Sequence, residues 1–558
     1  MRWFGGCAPR GPRIAPTGAD VISTTPLLWT AGKWTPRHMR ITTGRGVGVV
    51  VFGPCSADDG DLTHALTALD FARTAGAWAG SFTALRYGYG DVVEVIADPS
   101  GACPLYTVNT PDGLLWASSA RALSSLVGGQ VDTEWLASYL WDKKAPVPGR
   151  SAWAGVAPVA AGHQLLLSDA TAQCSPWWEP TTRRREAALP AIRHALTEGV
   201  RARVAGRPSS TDLAGMDSTT LAVIAAQYGS ITAVTTHPTG VLTDSGDLHY
   251  AQTLNVTGLN RTLFPLETRH LPFTPADEPL PASDEPPPST AVWAMLSDQL
   301  RFTAHKGIAC HLTGDGGDNL FLPSPTHLVD LARHRRWLRM TKDALDWARL
   351  RRVSPLPLIT AALHGDTQRV ARPWLARPAW LIADMPAPAR PAGGADEALI
   401  TSIRTVARAA HADTQLADSL GVELNNPYFD GNVLDAVVSV PPWDRFSARR
   451  YKPLLVDACR DLLPEAHRTR AAKGMFVQDF HRGLRANLPR LLDLADGHLA
   501  ARGLIDPAPL RKTLQAAALG ANTVWPALLP AVAAETWLRT VQSAPATTWT
   551  TPARAGIR

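Results

Sequence analysis

S-S-T-D-L-A-G-M-D-S-T-T-L-A, from Ser209 to Ala222, is the stretch on which the reading of the fold turns. A polar run makes a tight turn at Gly215. Asp217, Ser218 and Thr219 then open a helix whose apolar face continues through Leu221, Val223 and Ile224. The first turn of a helix carries unpaired amides and the positive end of the dipole, so phosphate groups settle there. Gly215 lets the backbone come close, Ser218 and Thr219 offer hydroxyls, and Asp217 has the oxygen chemistry to hold a divalent cation. A second reading stays open at this point, in which Asp217 or Ser218 is a plain helix cap with nothing bound.

Outward from this turn the pattern alternates. Leu221–Gln227 reads as helix, Ile231–Thr236 as strand and Leu248–Asn255 as helix, an order that builds a parallel α/β sheet. Upstream, Arg183 to Val204 is helical, with Leu189, Ile192, Leu196 and Val200 three and four residues apart. Before about residue 180 the chain is β-rich. Val47–Phe52, Val92–Ala97, Leu114–Ala117 and Gln164–Ser168 are short apolar runs punctuated by Gly, Pro and Asp. The spacing predicts two domains, 1–182 and 183–558. Pro272 to Ser289, with seven prolines and four acidic residues, is expected to be a loop outside the core, and helices dominate after Ala291. A second Pro/Ala/Arg-rich stretch lies between Pro373 and Pro391.

Two further segments carry chemistry. In H-L-T-G-D-G-G-D-N-L-F, His311 to Phe321, three glycines crowd around Asp315, and Asp318 follows three residues on. So many glycines disfavour a helix and predict a closely approached loop, whether polar, calcium-like or nucleotide-binding. In A-D-S-L-G-V-E-L-N-N-P-Y-F-D, Ala417 to Asp430, Pro427 and Phe429 predict a buried turn, and Glu423 is either a reactive carboxylate or a structural partner. The chain has only eight lysines, which draws attention to Lys452 in R-R-Y-K-P-L-L and Lys473 in R-T-R-A-A-K-G-M-F.

Taken in order, these segments resemble the asparagine synthetase family of N-type ATP pyrophosphatases. Ser209–Ala222 resembles its pyrophosphate loop, S-G-G-x-D-S, with either Leu213 or Ala214 standing for the serine. His311–Phe321 resembles S-G-E-G-x-D-E-x-F, and Glu423 to Asp430 resembles E-x-R-x-P-F-L-D with Asn425 in place of arginine. The resemblance implies a parallel α/β PP-loop domain with helical additions that uses ATP and Mg²⁺. Leu213, Ala214, Gly215, Asp217, Ser218, Thr219, Thr313, Gly314 and Asp318 then line the nucleotide, and Asp217 and Asp318 hold the metal. Asp315, Glu423, Lys452 and Lys473 are the implied catalytic residues, with Lys473 on a loop that stabilises charge on the α-phosphate. The implied reaction adenylates a carboxylate, releases pyrophosphate, and lets an amine displace AMP.

D-P-S-G-A-C-P-L-Y, Asp98 to Tyr106, resembles a turn of class II glutaminase domains, which implies an N-terminal Ntn-type β-sandwich. Such glutaminases use an N-terminal cysteine, whereas here Arg2 follows Met1 and Cys7 echoes their C-G-x-x-G only faintly. The expectation is a degenerate domain without an ammonia supply, so that the amine comes with the substrate. Within the family, T-G-D-G-G-D-N-L-F resembles lasso-peptide macrolactam synthetases more than β-lactam synthetases, which tend to carry Tyr where Asp315 stands. The implied substrate is a precursor peptide, with a leader-binding protein and a leader protease as possible helpers. Ammonia- or glutamine-dependent asparagine synthesis, β-lactam-type synthesis and an inactive peptide-binding relative remain as alternatives.

Composition narrows the classes. Net charge is +6, carried mostly by scattered arginines rather than a continuous basic stripe, so nucleic acid is not expected as a partner. Six cysteines without CxxC pairs indicate neither zinc nor disulfides and fit a cytoplasmic setting. No apolar run is long enough to span a bilayer, there is no signal-peptide pattern, and no membrane partner is expected.

Overall fold

The computed structural model describes residues 1–89, 92–145, 147–169, 171–238, 247–322, 324–382, 393–469, 477–521 and 525–552. Its N-terminal part is a sandwich of two antiparallel six-stranded sheets. One sheet contains Trp3–Cys7, Leu27–Ala31, Tyr106–Thr110 and Gly113–Ala117. The other contains Val47–Phe52, Thr83–Tyr89, Val92–Ile96 and His163–Ser168. Alternate side chains from each, among them Phe4, Leu28, Trp116, Val50, Leu85, Val95 and Leu165, interdigitate in one core. The strands predicted from apolar runs are therefore present to within a residue or two.

The helix α1, Arg185–Val204, leads into the second sheet. Its strands are β1 (Ser209–Asp212), β2 (Ile231–Pro238), β3 (Leu259–Leu266), β4 (Cys310–Leu312) and β5 (Glu423–Asn425), all parallel and ordered β3-β2-β1-β4-β5. The order reverses between β1 and β4, and in such sheets the crevice beyond the carboxyl ends at that reversal is where ligands bind.

The polar run Ser209–Asp212 is the central strand rather than a loop. Its side chains tolerate burial because they are paired across the ladder. The Ser210 hydroxyl lies 2.8 Å from His311 Nδ1, and His311 Nε2 lies 3.2 Å from Asp212, which also accepts from Gln299 at 2.6 Å. Ser210 and His311 are register partners, so this network clamps β1 to β4 at the reversal point.

The Pro-rich stretch corrects the expectation of a loop outside the core. Residues 272–289 form no regular element, yet Ser283, Asp284 and Glu285 are buried. Asp284 accepts from the Ser119 hydroxyl at 2.7 Å and the Arg121 amide at 2.8 Å. The Trp153 and Trp537 indoles donate to the carbonyls of Asp284 and Ser283 at 2.8 and 2.9 Å. Proline supplies extended backbone with few donors to satisfy, which suits a buried strap. The two halves are also stitched at the end of the chain. Trp549–Thr550 pairs with Ala15–Pro16, and the helix Leu528–Ser543 shares a core with Trp29 and Trp135.

Candidate active site

Two turns meet at the reversal point. After β1, Leu213 continues the strand. Its amide donates to Val234 O at 2.7 Å, its carbonyl accepts from Thr235 Oγ1 at 2.6 Å, and its side chain is buried. With both backbone groups spent in the sheet, Leu213 has none left for a nucleotide, and the turn proper begins at Ala214. Gly215 caps the helix α2, Met216–Ala225, without a side-chain cap, so no capping oxygen sits before its first turn. The Ser218 hydroxyl bridges the turn, donating to Gly215 O at 3.2 Å and accepting from Ala214 N at 3.3 Å. Thr219 is buried, its amide bonded to Gly215 O at 3.0 Å.

After β4 the chain passes through Thr313, Gly314, Asp315 and Gly316 into the short helix α3, Gly317–Phe321. Thr313 is anchored on both sides, its amide to Asn425 O at 2.9 Å and its hydroxyl to Asn426 Oδ1 at 2.6 Å. Gly316 has φ +87°, and a Cβ there would meet the Phe429 ring at 2.5 Å. Gly317 faces Asp217 so closely that a Cβ would lie 2.3 Å from its carboxyl carbon. The glycines predicted to permit close approach thus permit the two turns to touch.

Where they touch, Lys452 joins them. Its side chain is fully buried, and its ammonium donates to Asp217 and, at 2.5 Å, to Asp318. Lys452 precedes the helix α4, Pro453–Ala458, in the left-handed region at φ +43°, a conformation that turns its side chain into the site. Tyr428, also buried, donates from its hydroxyl to the Asp217 carbonyl at 3.0 Å. Asp217, Asp318 and Lys452, distant in sequence and singled out there, are one cluster. Asp315 is exposed at its mouth, its amide bonded to Thr313 Oγ1 at 3.2 Å.

Two oxygen-bearing carboxylates facing one small volume fit Mg²⁺, which uses one or two carboxylates and takes its remaining oxygens from phosphates and water. Among the described residues there is no cluster of three or more side chains of the kind that cages a metal by protein alone. The fit is to a phosphate-borne ion.

Glu423 is not part of this cluster. It begins β5 opposite Cys310, at the amino edge of the sheet, while the turns lie at the carboxyl edge. Its oxygens are taken by His38 at 2.5 Å and Arg207 at 2.7 Å. Burial alone would raise its carboxyl, but the His38 hydrogen bond and the Arg207 guanidinium overcome that and bring it down to about 2. Lys473 lies outside the described residues. At the end of the same motif Asp430 is fully buried and held bidentately by Arg203, at 2.8 and 2.6 Å, with Ser81 donating at 2.6 Å. Arg203 also donates to Asn425 Oδ1 at 3.2 Å, so a guanidinium from α1 serves the position where the motif lacks its arginine.

Sequence reasoning missed a second group. Asp413 is buried and accepts from Ser289, at 3.2 Å from the amide and 2.5 Å from the hydroxyl. Burial pushes its carboxyl up to about 7 against those hydrogen bonds. Asp315 adds to the rise and Lys143 opposes it. Lys143 and Lys144 follow the helix Thr133–Trp141; desolvation lowers both ammonium groups, while Asp413 raises the first and Asp318 the second. Two more of the chain's eight lysines, both from the N-terminal half, thus act electrostatically on carboxylates of this region. Nothing in D-K-K-A announces that, because the pairing arises only from tertiary contact.

Cys7 is buried at the end of its strand opposite Leu115, its thiol pushed up to about 12 by desolvation and directed at Ile14 O, 3.7 Å away. A neutral, enclosed thiol is not an activated nucleophile.

Residues 191–539 match the asparagine synthase family model, and the chain belongs to that family. It is an ATP-dependent, AMP-forming amide ligase, which makes its amide bond through an adenylated carboxyl group. No curated protein sequence matches the chain. Among solved structures it is similar to glutamine phosphoribosylpyrophosphate (PRPP) amidotransferase from B. subtilis complexed with ADP and GMP. The identity is 9%, over 56% of this chain and 90% of that one, with a TM-score of 0.21. No helix among the described residues is long and apolar enough to cross a membrane.

Proposed function

We propose that this ligase closes a macrolactam within a peptide, joining the N-terminal amine of a precursor to an Asp or Glu side chain, as lasso-peptide cyclases do. The observation that carries the reading is the enclosed Cys7 thiol. With that sulfur neutral and buried, the sandwich does not release ammonia through it, and an amine borne by the substrate takes ammonia's place.

The triphosphate lies across the two touching turns, with the amides opening α2 toward its phosphates. Asp217 and Asp318 would hold Mg²⁺, which would supply charge to offset the repulsion between a carboxylate and the phosphate oxygens. Lys452 keeps the two carboxylates together and supplies positive charge where the pyrophosphate departs. The substrate carboxylate oxygen bonds to the α-phosphorus as the bond to pyrophosphate breaks. The peptide amine then attacks the acyl carbon and AMP leaves with the bonding pair. The proton lost by the amine passes to Asp413 or Asp315. Asp413, with a carboxyl near 7, is matched to a neutral-pH proton transfer, whereas Glu423, near 2, is not. A leader-binding protein and a leader protease are the partners this reading implies.

The test is incubation of the chain with ATP, Mg²⁺ and synthetic peptides that start with Gly and carry one Asp or Glu further on. The expected product has lost one water, resists aminopeptidase and appears with equal AMP. Conversion of free aspartate and ammonium to asparagine, with no peptide cyclised, would refute the reading and leave the ligase assignment standing.

A further inference from the structure

A helix-rich segment that follows α3 in the chain has an unusual surface. Residues 331–377 contain eleven Lys and Arg against three Asp, a net +8 within a chain whose total is +6. Of the 17 large apolar side chains that stand exposed among the described residues, eight fall between Trp337 and Trp374. The segment's core is ordinary, with Met340, Ala344, Trp347, Leu358, Ala361 and Val370 packed together, so this is a folded unit whose outside is apolar and basic.

The two properties coincide at a corner. Helix Trp337–Arg351 ends, Arg352 turns in the left-handed region at φ +55°, and helix Pro355–Leu363 begins. Across it runs R-L-R-R-V-S-P-L, Arg349 to Leu356, with Leu350 58% and Leu356 68% exposed and Val353 between them. Along the first helix, Leu338, Lys342, Leu345, Arg349 and Arg352 recur at three- and four-residue spacing and all are exposed, Leu338 at 91%.

The three acidic residues are each engaged by a partner, Asp346 also lying 3.9 Å from Arg349. Asp343 faces His327 at 3.3 Å, Asp346 holds Arg449 at 3.0 Å, and Asp366 caps the next helix through Arg369 N at 2.8 Å. Arg351 is turned inward to the Val370 and Ala371 carbonyls, and what faces outward at the corner is Arg349, Leu350, Arg352, Val353 and Leu356, positive and apolar side by side. A protein-binding core gathers its apolar side chains at the centre and excludes charge from it. A nucleic-acid site needs a continuous basic stripe, which these leucines interrupt. An anionic bilayer takes both at once, with leucine and valine tips in the acyl boundary and arginines reaching back to lipid phosphates.

We propose that the corner Arg349–Leu356, with the stripe from Leu338 to Arg352, docks this enzyme on an anionic membrane surface. The contact is peripheral, departs from the expectation of no membrane partner, and is independent of which amide the enzyme makes. A groove of about 1170 Å³ beside the corner is lined by Leu350, Leu322 and Tyr451.

Vesicle sedimentation with the full chain tests this. Vesicles of phosphatidylcholine and phosphatidylglycerol in equal parts should pull the protein down at least about tenfold better than phosphatidylcholine alone, with the advantage shrinking in high salt. The triple change Leu350→Ser, Val353→Ser, Leu356→Ser and the double change Arg349→Glu, Arg352→Glu should each cut binding about tenfold. ATP–pyrophosphate exchange in solution and the melting temperature should stay as in the parent. Equal binding to both vesicle types, no binding, or variants that sediment like the parent would overturn the proposal. So would self-association of the parent that the serine variant abolishes while vesicles bind neither, because the face would then be a protein interface.

Discussion

The Lys452 ammonium lies 2.5 Å from a carboxylate oxygen of Asp318, a residue 134 positions earlier in the chain, and the same ammonium holds Asp217. A single cation thus ties together the helix that opens after β1 and the turn that follows β4. Lys452→Met should lower carboxylate-dependent ATP–pyrophosphate exchange by at least about a hundredfold, close to 3 kcal/mol of lost stabilisation. Lys452→Arg should rescue little, since a planar fork does not fit between two oxygens already in contact with an ammonium. Asp318→Ala should be equally inactive and should also lose Mg²⁺-dependent protection of ATP binding, measured by nucleotide titration with and without the metal.

Asp413 sets a pH dependence. Its carboxyl is raised from 3.8 to about 7 in the folded chain, so the folded state holds a proton there that the unfolded state gives up. Stability contributed by that proton is full below 3.8, falls as pH rises, and is gone above about 7, amounting to about 4 kcal/mol across the window. Asp413→Asn should flatten this slope in denaturant melts. In the amide-forming step the same variant should remove the acidic limb of the pH–rate profile near 7 while leaving pyrophosphate exchange within about threefold of the parent.

Glu423 has the opposite sign. Its carboxyl is depressed from 4.5 to about 2, so its contribution is full above 4.5 and disappears as pH falls toward 2. The shift corresponds to about 3 kcal/mol. Glu423→Gln should destabilise the chain by a similar amount at neutral pH and erase the difference at low pH, as read by thermal melts. Exchange activity per folded molecule should be little changed, which separates a structural carboxylate from a catalytic one.

Asp430 and Arg203 are both enclosed, at 0% and 1% side-chain exposure. Removing one partner leaves a bare buried charge, and Asp430→Ala should cost about 3–5 kcal/mol and lower soluble yield. A Gly199→Ala change should be as damaging, because the new Cβ would sit 2.1 Å from Asp430 Oδ2.

Much of the site was legible because its chemistry is local. Gly-rich turns next to Asp announce themselves, and Lys452 stood out in a lysine-poor chain. The parallel sheet followed from the alternation after Gly215. What could not be read depended on what packs on what. Ser209–Asp212 is too polar to read as a central strand until His311 and Gln299 arrive to satisfy it. The prolines of 272–289 signal irregular backbone correctly, yet say nothing about the tryptophans that bury it. Glu423 sits three residues before Asn426, which anchors Thr313, and that proximity in sequence hides a change from one edge of the sheet to the other. Asp413 and Lys143 act on each other from separate halves of the chain, so no local pattern marks either.

The short ladder between Trp549–Thr550 and Ala15–Pro16 makes the polypeptide a closed loop in space. The sandwich strands all lie in the first part of the chain, but the apolar side chains around Trp29 and Trp135 are covered by the helix Leu528–Ser543, so that face must wait, unprotected, through translation of everything between. Expressed by itself, the first third of the chain should aggregate, and trimming the final residues should injure the end that was made first.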